Sequence, residues 1–258
     1  MTRVSARTTA IVQARMGSRR LPGKVLADLA GAPLLARMIE RLRAARTLAR
    51  IVVATTEHPA DAPVRELAAA LGVGCFAGSE DDVLARYVGA AEAFRADPIV
   101  RLTADCPLID PALVDRCVEA FADRPGCDYA SLGGEFPDGL DTEVISARAL
   151  ARAHAEARLP SEREHVTPYV WKQATVFAAV TVVFPRPLGG RRWTVDEPRD
   201  LEFVRAVYAR LHRPGYVFGW ADVEALLARE PALAAINAGI ERNAGYRRSL
   251  ARDAGAGA

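Results

Sequence analysis

The sequence has few cysteines, and they follow no pattern that would organise a small fold. Its four cysteines include no Cys-x-x-Cys pair and no histidine at metal-ligand spacing; they are Cys75, Cys106, Cys117 and Cys127. This distribution excludes a zinc module and a disulfide framework from the expected fold classes. A reducing, cytoplasmic compartment is the expected location.

Long apolar runs and an excess of one charge are also missing. No window approaches the length of a membrane span, and the N-terminal apolar stretch is shorter than the roughly 7–15 residues of a secretion signal. Lys and Arg number 34 against 32 Asp and Glu, which leaves a net charge of +2. We therefore expect neither a membrane nor a nucleic acid as a partner, and any phosphate chemistry must rest on a local cluster of cations.

The first half of the sequence alternates short apolar runs with amphipathic stretches. TTAIVQ, ARIVVATT and DPIVRLTADCP are each followed by a segment with helical spacing. This alternation predicts βαβ units and therefore an α/β, Rossmann-like doubly wound fold, in which a mostly parallel sheet carries helices on both faces. Since 258 residues can bury one large core, we expect a single domain over residues 1–258.

The second half follows this pattern less closely. Residues 129–187 combine Gly and Pro turns with two helical segments and the strand-like segments TEVIS and VFAAVTVVF, and we expect a small insertion lobe that binds a substrate or a second subunit. RRWTV predicts a last strand, and a long helix is expected to begin near Pro198. Residues 221–258 are rich in alanine and predict a C-terminal helical tail.

The first candidate site is a basic loop after the first strand. Residues 14–24, ARMGSRRLPGK, place Arg15, Arg19, Arg20 and Lys24 beside two glycines and a serine. In an open α/β sheet, ligands bind beyond the carboxyl ends of the strands, where glycine-rich turns bring backbone N–H groups close to phosphate oxygens. The loop therefore suits a triphosphate. It contains neither GxxxxGK[ST] nor GxGxxG, and a solvated basic turn is the alternative.

Two aspartates end strand-like segments at the same expected edge of the sheet. Asp105 closes IVRLTAD, and Asp196 closes RRWTVD. A carboxylate at such a position can join Mg²⁺ to phosphate oxygens, which makes Asp105 the leading candidate for a metal ligand and Asp196 the second. The alternative for each is a helix cap or a turn. Asp110, directly before Pro111, fits that structural role better than Asp105 does.

Together these segments resemble those of the CMP-sugar-acid synthetases, the cytidylyltransferases that activate 3-deoxy-manno-octulosonate and sialic acid. Over roughly residues 8–210 the family's parts occur in the family's order, as IVQARMGSRRLPGKVL, IVVATT, GSEDDVLARY, IVRLTADCPLID, PDGLDTEV, SEREHVTPY and RWTVDEPRDL. The similarity is greatest to the branch of spore coat polysaccharide biosynthesis protein F.

The resemblance implies a fold of the nucleotide-diphospho-sugar transferase type and a magnesium-dependent reaction. CMP would pass from CTP to a small anionic acceptor, with release of pyrophosphate. That acceptor would be a sugar acid, such as a nonulosonic or octulosonic acid, or a phosphonic acid. The family's usual homodimer is likewise expected.

The resemblance also assigns roles to individual residues. It implies that Arg15, Lys24 and Asp105 take part in catalysis and that Asp105 and Asp196 bind Mg²⁺. The CTP site would comprise Ala14, Arg15, Gly17, Ser18, Arg19, Lys24, Thr55, Thr56, Gly78, Ser79, Thr103 and Asp105. Within it, the resemblance places base recognition at Thr55, Thr56, Gly78 and Ser79 and near Thr103. The acceptor site would comprise Asp138, Asp141, Arg163 and His165. A turn is the alternative for the two acceptor aspartates, a structural role is the alternative for His165, and Ser79 could cap the following helix.

Three other functions remain open. A metal-dependent glycosyltransferase on a related fold would usually carry Asp-x-Asp, which occurs nowhere in the chain. A non-catalytic nucleotide-binding protein would not need Arg15, Lys24, Asp105 and Asp196 together. A uridylyl or guanylyl donor would keep the reaction and change the base, and the preference for cytosine comes from the resemblance alone.

Overall fold

The computed structural model describes residues 8–256; the first seven residues, in the basic N-terminus, and the last two, in the Gly-Ala end, lie outside the described residues. Its strands are Thr9–Gln13 (β1), Asp28–Leu29 (β2), Ala32–Pro33 (β3), Arg50–Thr56 (β4), Gly74–Gly78 (β5), Ile99–Thr103 (β6), Tyr129–Gly133 (β7), Glu143–Ile145 (β8) and Ala179–Val183 (β9). Its helices are Leu34–Leu42 (α1), Ala62–Ala70 (α2), Val83–Phe94 (α3), Pro111–Asp123 (α4), Ala147–Glu156 (α5), Pro160–His165 (α6), Pro168–Trp171 (α7), Pro198–Leu211 (α8), Trp220–Arg229 (α9), Ala232–Ala235 (α10) and Ala244–Ala256 (α11).

In the described part of the chain, seven strands form one sheet in the order β5-β4-β1-β6-β8-β7-β9. Neighbours pair in parallel from β5 to β6, β8 pairs antiparallel with both β6 and β7, and β9 is parallel to β7. Six of these seven strands therefore run in one direction, and β8 runs in the other. This arrangement confirms the predicted mostly parallel sheet.

The sheet has a hydrophobic core on each face. Ala10 and Val12 of β1 lie in one core with side chains of α1, α4, α8 and α9, whereas Ile11 lies in the other with side chains of α3, α5 and α7. Successive side chains of a strand point to opposite faces, so a strand that is apolar at every position needs cover on both sides. The helices on both faces confirm the predicted doubly wound fold.

Residues 129–187 extend the central sheet. They contribute β7, β8 and β9 at one of its edges, and the predicted strands TEVIS and VFAAVTVVF are observed as β8 and β9. The second predicted helix of this region is interrupted between α6 and α7 at Val166, where φ is 74°. A role for these residues in binding an acceptor or a second subunit stays a prediction.

The predicted strand RRWTV is wrong. The segment is extended, but in the described chain it forms a single isolated bridge, between Arg192 and Asp138, and belongs to no sheet. Its backbone is used differently: Trp193 N donates to Asp138 O at 2.6 Å, and Val195 N donates to Asp105 O at 2.7 Å. The segment therefore ties two loops together, and the long helix begins at Pro198 as predicted.

Helix starts follow the expected capping chemistry, with one change of residue. Asp110 caps α4 and accepts from Ala112 N at 2.8 Å, as its position before Pro111 predicted. The prediction that Ser79 caps α3 is wrong, because Asp82 lies nearer and accepts from Ala85 N at 2.9 Å. Among residues 8–256, no helix is both long enough and apolar enough to span a bilayer.

Candidate active site

The carboxyl ends of β1 and β6 lie side by side and position the candidate site. Gln13 pairs with Thr103 at the last register position of the two strands. Ala104 N then donates to Gln13 O at 2.9 Å, so the pairing extends into the following turn. The loop 14–24 and the turn that carries Asp105 therefore leave the sheet at one edge, as expected for a ligand site of an open α/β sheet.

A cleft of about 650 Å³ opens at this edge. It brings together most of the residues that the sequence singled out. Those in its lining are Ala14, Arg15, Ser18, Arg19, Lys24, Thr103, Asp105, Asp138, Asp141, His165 and Asp196. The remaining predicted residues lie outside this lining: Gly17, Thr55, Thr56, Gly78, Ser79 and Arg163.

Lys24 joins the two candidate metal ligands. Its ammonium lies 2.8 Å from Asp105 Oδ2, 2.8 Å from Asp196 Oδ1 and 2.7 Å from Val195 O. Burial alone would lower the pKa of Lys24, but the two carboxylates outweigh burial and raise it. A charged ammonium therefore holds both carboxylates at one point.

Asp105 is ionised at neutral pH. Burial would raise its pKa, but the Lys24 ammonium and the hydrogen bonds to Asp105 outweigh burial and bring the pKa to about 2. Thr103 Oγ1 donates to Asp105 Oδ1 at 2.5 Å and is one of these donors. A deprotonated carboxylate is the form in which aspartate binds a hard cation.

Asp196 faces the cleft and does not cap α8. Its Oδ2 forms ion pairs with Arg20 at 2.9 Å and with Arg192 at 3.1 Å. The backbone N–H groups of Asp196 and Glu197 donate instead to Asp200 Oδ2, each at 3.0 Å. Asp200 accepts the hydrogen bonds of the backbone N–H groups at the start of α8. The carboxylate of Asp196 is therefore not needed as a cap and lines the cleft.

The paired carboxylates fit a hard cation. Asp105 Oδ2 and Asp196 Oδ1 each lie 2.8 Å from the same Lys24 Nζ, so both oxygens already converge on one positive charge. Within residues 8–256, no group of three or more His, Cys, Asp or Glu is arranged as a metal cluster. Mg²⁺ is commonly bound through one or two carboxylates together with substrate phosphates, and that donor set matches this pair.

The basic loop is anchored by its backbone and keeps Arg15 and Arg19 near solvent, whereas Lys24 is buried. Gly23, with φ of 72°, donates its N–H to Met16 O at 2.9 Å and closes the turn. Arg15 lies 3.3 Å from Glu80 in a pair whose side chains are 41% and 47% exposed. Arg19 has no carboxylate within ion-pair distance in the described chain. Since an exposed pair contributes little stability, both arginines can exchange water or Glu80 for phosphate oxygens.

Four of the residues predicted to recognise the base, Thr55, Thr56, Gly78 and Ser79, lie outside the cleft lining, whereas Thr103 is part of it. Thr55 and Thr56 are buried, and the Thr56 hydroxyl donates to Asp61. Asp61 also accepts from Met16 N at 2.6 Å, so Thr56 supports the loop through Asp61. Gly78 and Ser79 follow at the end of β5. Contact of these residues with a base stays a prediction.

The two predicted acceptor aspartates lie on one tight turn. Gly139, with φ of 106°, approaches the 193–194 backbone so closely that an added Cβ would lie 2.6 Å from Thr194 N. Asp141 Oδ2 accepts from Gly139 N at 2.9 Å and stabilises this turn. Burial, reinforced by the charge of Asp141, raises the pKa of Asp138 to about 6. Asp141 therefore shapes the turn, Asp138 pairs with Arg192, and both aspartates line the cleft.

Arg163 and His165 lie on the same helix, α6, but only His165 lines the cleft. Arg163 forms an ion pair with Asp82 and donates to His154 O at 2.8 Å, outside the cleft lining. His165 lines the cleft, and its Nε2 lies 3.1 Å from Ser249 Oγ. Burial, together with the charge of Arg101, lowers the pKa of His165 to about 4. The imidazole is therefore neutral at neutral pH.

Sequence reasoning missed Arg192 and the C-terminal residues of the cleft. Arg192 is buried and forms ion pairs with Asp138, Asp196 and Asp200, at 3.0, 3.1 and 2.9 Å. Its spacing from Asp196 was an available signal, because residues i and i+4 of an extended segment lie on one face. The C-terminal residues gave no comparable signal, since an alanine-rich tail predicts only helix.

Comparison with known proteins shows where this arrangement occurs. A sequence model of the family described as cytidylyltransferase matches residues 9–209. Spore coat polysaccharide biosynthesis protein SpsF of Bacillus subtilis is 33% identical over 207 residues, covering 78% of this chain and 85% of SpsF. The 3-deoxy-manno-octulosonate cytidylyltransferase of Anaeromyxobacter dehalogenans is 30% identical over 239 residues, covering 77% of this chain and 96% of that protein.

A solved structure extends the similarity beyond the matched region. The structure of a cytidylyltransferase from Leptospira borgpetersenii is 32% identical, with a TM-score of 0.86, and covers 92% of this chain and 99% of that chain. Sequence and fold therefore agree on one family.

Proposed function

This chain belongs to the cytidylyltransferase family, and on that basis we propose that it transfers CMP from CTP to a small organic acid and releases pyrophosphate. The observation that carries the proposal is the Lys24 ammonium between Asp105 and Asp196, beside the basic loop. Two carboxylates and several cations at one edge of the sheet are what a triphosphate and its counter-ion require.

The transfer would be an in-line substitution at the α-phosphorus of CTP. An oxygen of the acceptor forms the new bond to phosphorus, and the bond to the bridging oxygen breaks, so that pyrophosphate leaves. Such a reaction depends on positioning and on the neutralisation of charge, and it needs no covalent enzyme intermediate. In our proposal the phosphates are held by Arg15, Ser18, Arg19 and Lys24. The two arginines are accessible to solvent, and Lys24 is fixed by the carboxylates of Asp105 and Asp196.

We also propose that the reaction requires Mg²⁺. Asp105 and Asp196 would hold the ion together with phosphate oxygens of CTP. Bound there, it would neutralise the charge that develops on the phosphates during transfer. The low pKa of Asp105 supports this assignment because it keeps the carboxylate ionised over the whole physiological range of pH.

The proposed acceptor is a sugar acid or a phosphonic acid. One relative is named for its action on 3-deoxy-manno-octulosonate, and another for the biosynthesis of a spore coat polysaccharide. Asp138 and Asp141 line the cleft and can accept hydrogen bonds from hydroxyl groups of such an acid.

The proposal is tested by pyrophosphate release with CTP, UTP, GTP or ATP, in the presence of Mg²⁺ and a panel of sugar acids and phosphonic acids. We expect release that needs CTP, one class of acid and Mg²⁺ together. Release with another nucleotide would refute the base assignment, and undiminished release in excess EDTA would refute the metal requirement. No release with any pair would refute transfer to these acids. The homodimer is a separate prediction, which light scattering after size-exclusion chromatography checks.

A further inference from the structure

The end of the chain returns to the acceptor end of the cleft. The family match stops at residue 209, whereas residues 237–253, here called the C-terminal strap, lie across the opening beside α6. The strap contributes part of the cleft lining through Asn243, Ala244, Gly245, Tyr246, Arg248 and Arg252. A segment beyond the matched region therefore forms part of the proposed acceptor site.

The strap is fixed at its start to the centre of the site. The buried Asn237 donates through Nδ2 to Arg192 O at 2.9 Å and to Asp200 Oδ1 at 3.0 Å. Arg242 donates to Phe136 O at 2.9 Å, and its guanidinium lies 4.9 Å from the centre of the Phe136 ring. The first residue of the strap therefore contacts Arg192 and Asp200, which also bond to Asp196.

The strap is fixed again at α6. The buried Ser249 hydroxyl donates to Glu164 Oε2 at 2.7 Å, and Arg252 forms an ion pair with Glu164. The ring of Tyr246 meets that of His165 edge to face, with 5.1 Å between centroids. These contacts give α11 a defined position over the cleft.

One cation of the strap is left without a carboxylate. Three of the strap's arginines have a partner: Arg242 lies 4.0 Å from Asp138, Arg247 pairs with Glu241, and Arg252 pairs with Glu164. Arg248 has no carboxylate within ion-pair distance among residues 8–256. Arg248 lines the cleft and is exposed to solvent, so its guanidinium can meet an anion that enters the cleft.

An anionic acceptor needs such a cation at this end. The neighbouring lining includes Asp138, Asp141 and Glu164, whose charges repel an acid. Arg163, the cation that the sequence predicted for this role, is held by Asp82 outside the lining. Arg101 and Arg252 also line the cleft, but they pair with Glu143 and Glu164. Arg248 is the lining arginine near α6 that has no acidic partner in the described chain.

We propose that Arg248 binds the acid group of the acceptor and that the C-terminal strap thereby sets the acceptor specificity of this chain. The inference rests on the proposed function, because it assigns the acceptor side of the same transfer. A guanidinium binds a carboxylate through two parallel hydrogen bonds, which fixes the acid in position as well as neutralising it.

The test compares Arg248→Gln with Arg247→Gln, a neighbour on the same helix that pairs with Glu241. The probes are 3-deoxy-manno-octulosonate, N-acetylneuraminate and phosphonoacetate, each titrated calorimetrically into the full chain with a non-hydrolysable CTP analogue and Mg²⁺. For the acid that binds the parent, Arg248→Gln should raise the Kd by about tenfold or more, since a charged hydrogen-bonded pair is lost. The Kd of the CTP analogue should stay within about twofold. Arg248→Lys should restore part of the acid affinity, and Arg247→Gln should resemble the parent.

The outcomes separate this inference from the proposed function. Equal acid affinity in the parent and Arg248→Gln would overturn the inference, and so would a parent that binds none of the three acids. An equal loss of acid and CTP affinity would also overturn it, because the residue would then act on the whole cleft. A parent that binds an acid through Arg248 but releases no pyrophosphate would leave the inference standing and refute the proposed transfer.

Discussion

The two ends of the cleft are built from different kinds of structure. The nucleotide end rests on one continuous loop, residues 14–24, which leaves the sheet between paired strand ends. The acceptor end combines the turn at residues 137–141, α6 and the C-terminal strap, which are far apart in the chain. The loop is held by the sheet and, through Lys24, by Asp105 and Asp196, whereas the acceptor end can change one of its separate segments alone. Under the proposed function, acceptor choice can therefore change through one segment while the basic loop stays the same.

The charges of the two ends also differ. At the nucleotide end, cations from one loop face two carboxylates that Lys24 holds together. At the acceptor end, the lining carboxylates are the more numerous groups, and Arg248 is a cation without an acidic partner in the described chain. Substitutions at the first end should alter turnover, and substitutions at the second should alter acceptor affinity or local stability.

The largest effect is expected for Asp105→Asn, which removes a charge from the nucleotide end. We expect kcat to fall by about 10³-fold, because the proposed metal ligand and its negative charge are lost together. Steady-state pyrophosphate release with CTP checks this. Asp28→Asn is the control, because Asp28 is exposed and lies outside the cleft lining. Activity of Asp105→Asn near that of the control would mean that Asp105 only shapes the turn.

Lys24→Met should have the next largest effect, because it removes the ammonium and keeps most of the side-chain volume. We expect pyrophosphate release to fall by about 100-fold. The free energy of unfolding should fall by about 3 kcal/mol, since two partly buried carboxylates lose their shared partner. Urea denaturation and initial rates measure the two effects. The same substitution at the exposed Lys172 should change neither, and a Lys24→Met protein with parental rates would refute the phosphate-binding role.

At the acceptor end, His165 predicts a dependence of stability on pH. Its folded pKa of about 4 lies below the ordinary value of 6.5, so the folded state binds the proton more weakly than the unfolded state. The stabilising contribution is complete above pH 6.5 and is lost as the pH falls towards 4. Between pH 7.5 and pH 5 the contribution of His165 should fall by about 2 kcal/mol, whereas the raised pKa of Asp138, about 6, acts in the opposite direction in both the parent and the variant. Urea denaturation should show a smaller loss for His165→Gln, and an equal loss in both proteins would contradict the assignment.

The smallest effect is expected for Arg163→Ala, which sharpens the contrast with Arg248. Its ion pair with Asp82 is lost, so the free energy of unfolding should fall by about 1 kcal/mol. The affinity for the acceptor acid should remain at the parental value, because the guanidinium lies outside the cleft lining. Calorimetric titration with the acid that the parent binds checks this. A tenfold weaker affinity would show that Arg163 reaches the acceptor after all.

The parts of the fold and site that depend on local pattern were predictable from the sequence. The alternation of apolar runs and amphipathic segments predicted the sheet with helices on both faces. The position of Asp105 after β6 placed it at the edge of the sheet, because strand ends meet there. Asp196 was predicted at the same edge from a strand that does not form. Neither inference needed to know which strand pairs with which.

The parts that depend on distant pairing were not predictable. RRWTV has the composition of a strand, yet its N–H groups donate to carbonyl groups of residues 105 and 138, which no local pattern specifies. Lys24 was predicted among the phosphate ligands, and its bridge between two carboxylates came from the fold alone. The composition of the strap predicted a helix but not its position, because composition does not determine where a terminal helix packs.

The Lys24 bridge also bears on how the protein is made. The ammonium's two carboxylate partners lie 81 and 172 residues further along the chain. A chain growing from its N-terminus therefore completes the loop 14–24 long before it supplies Asp196, and contacts of such separation form late in folding. A nascent chain or a truncated fragment that stops before residue 196 has an ammonium with one carboxylate in place of two. The centre of the cleft can therefore be completed only after residue 196 has been synthesised.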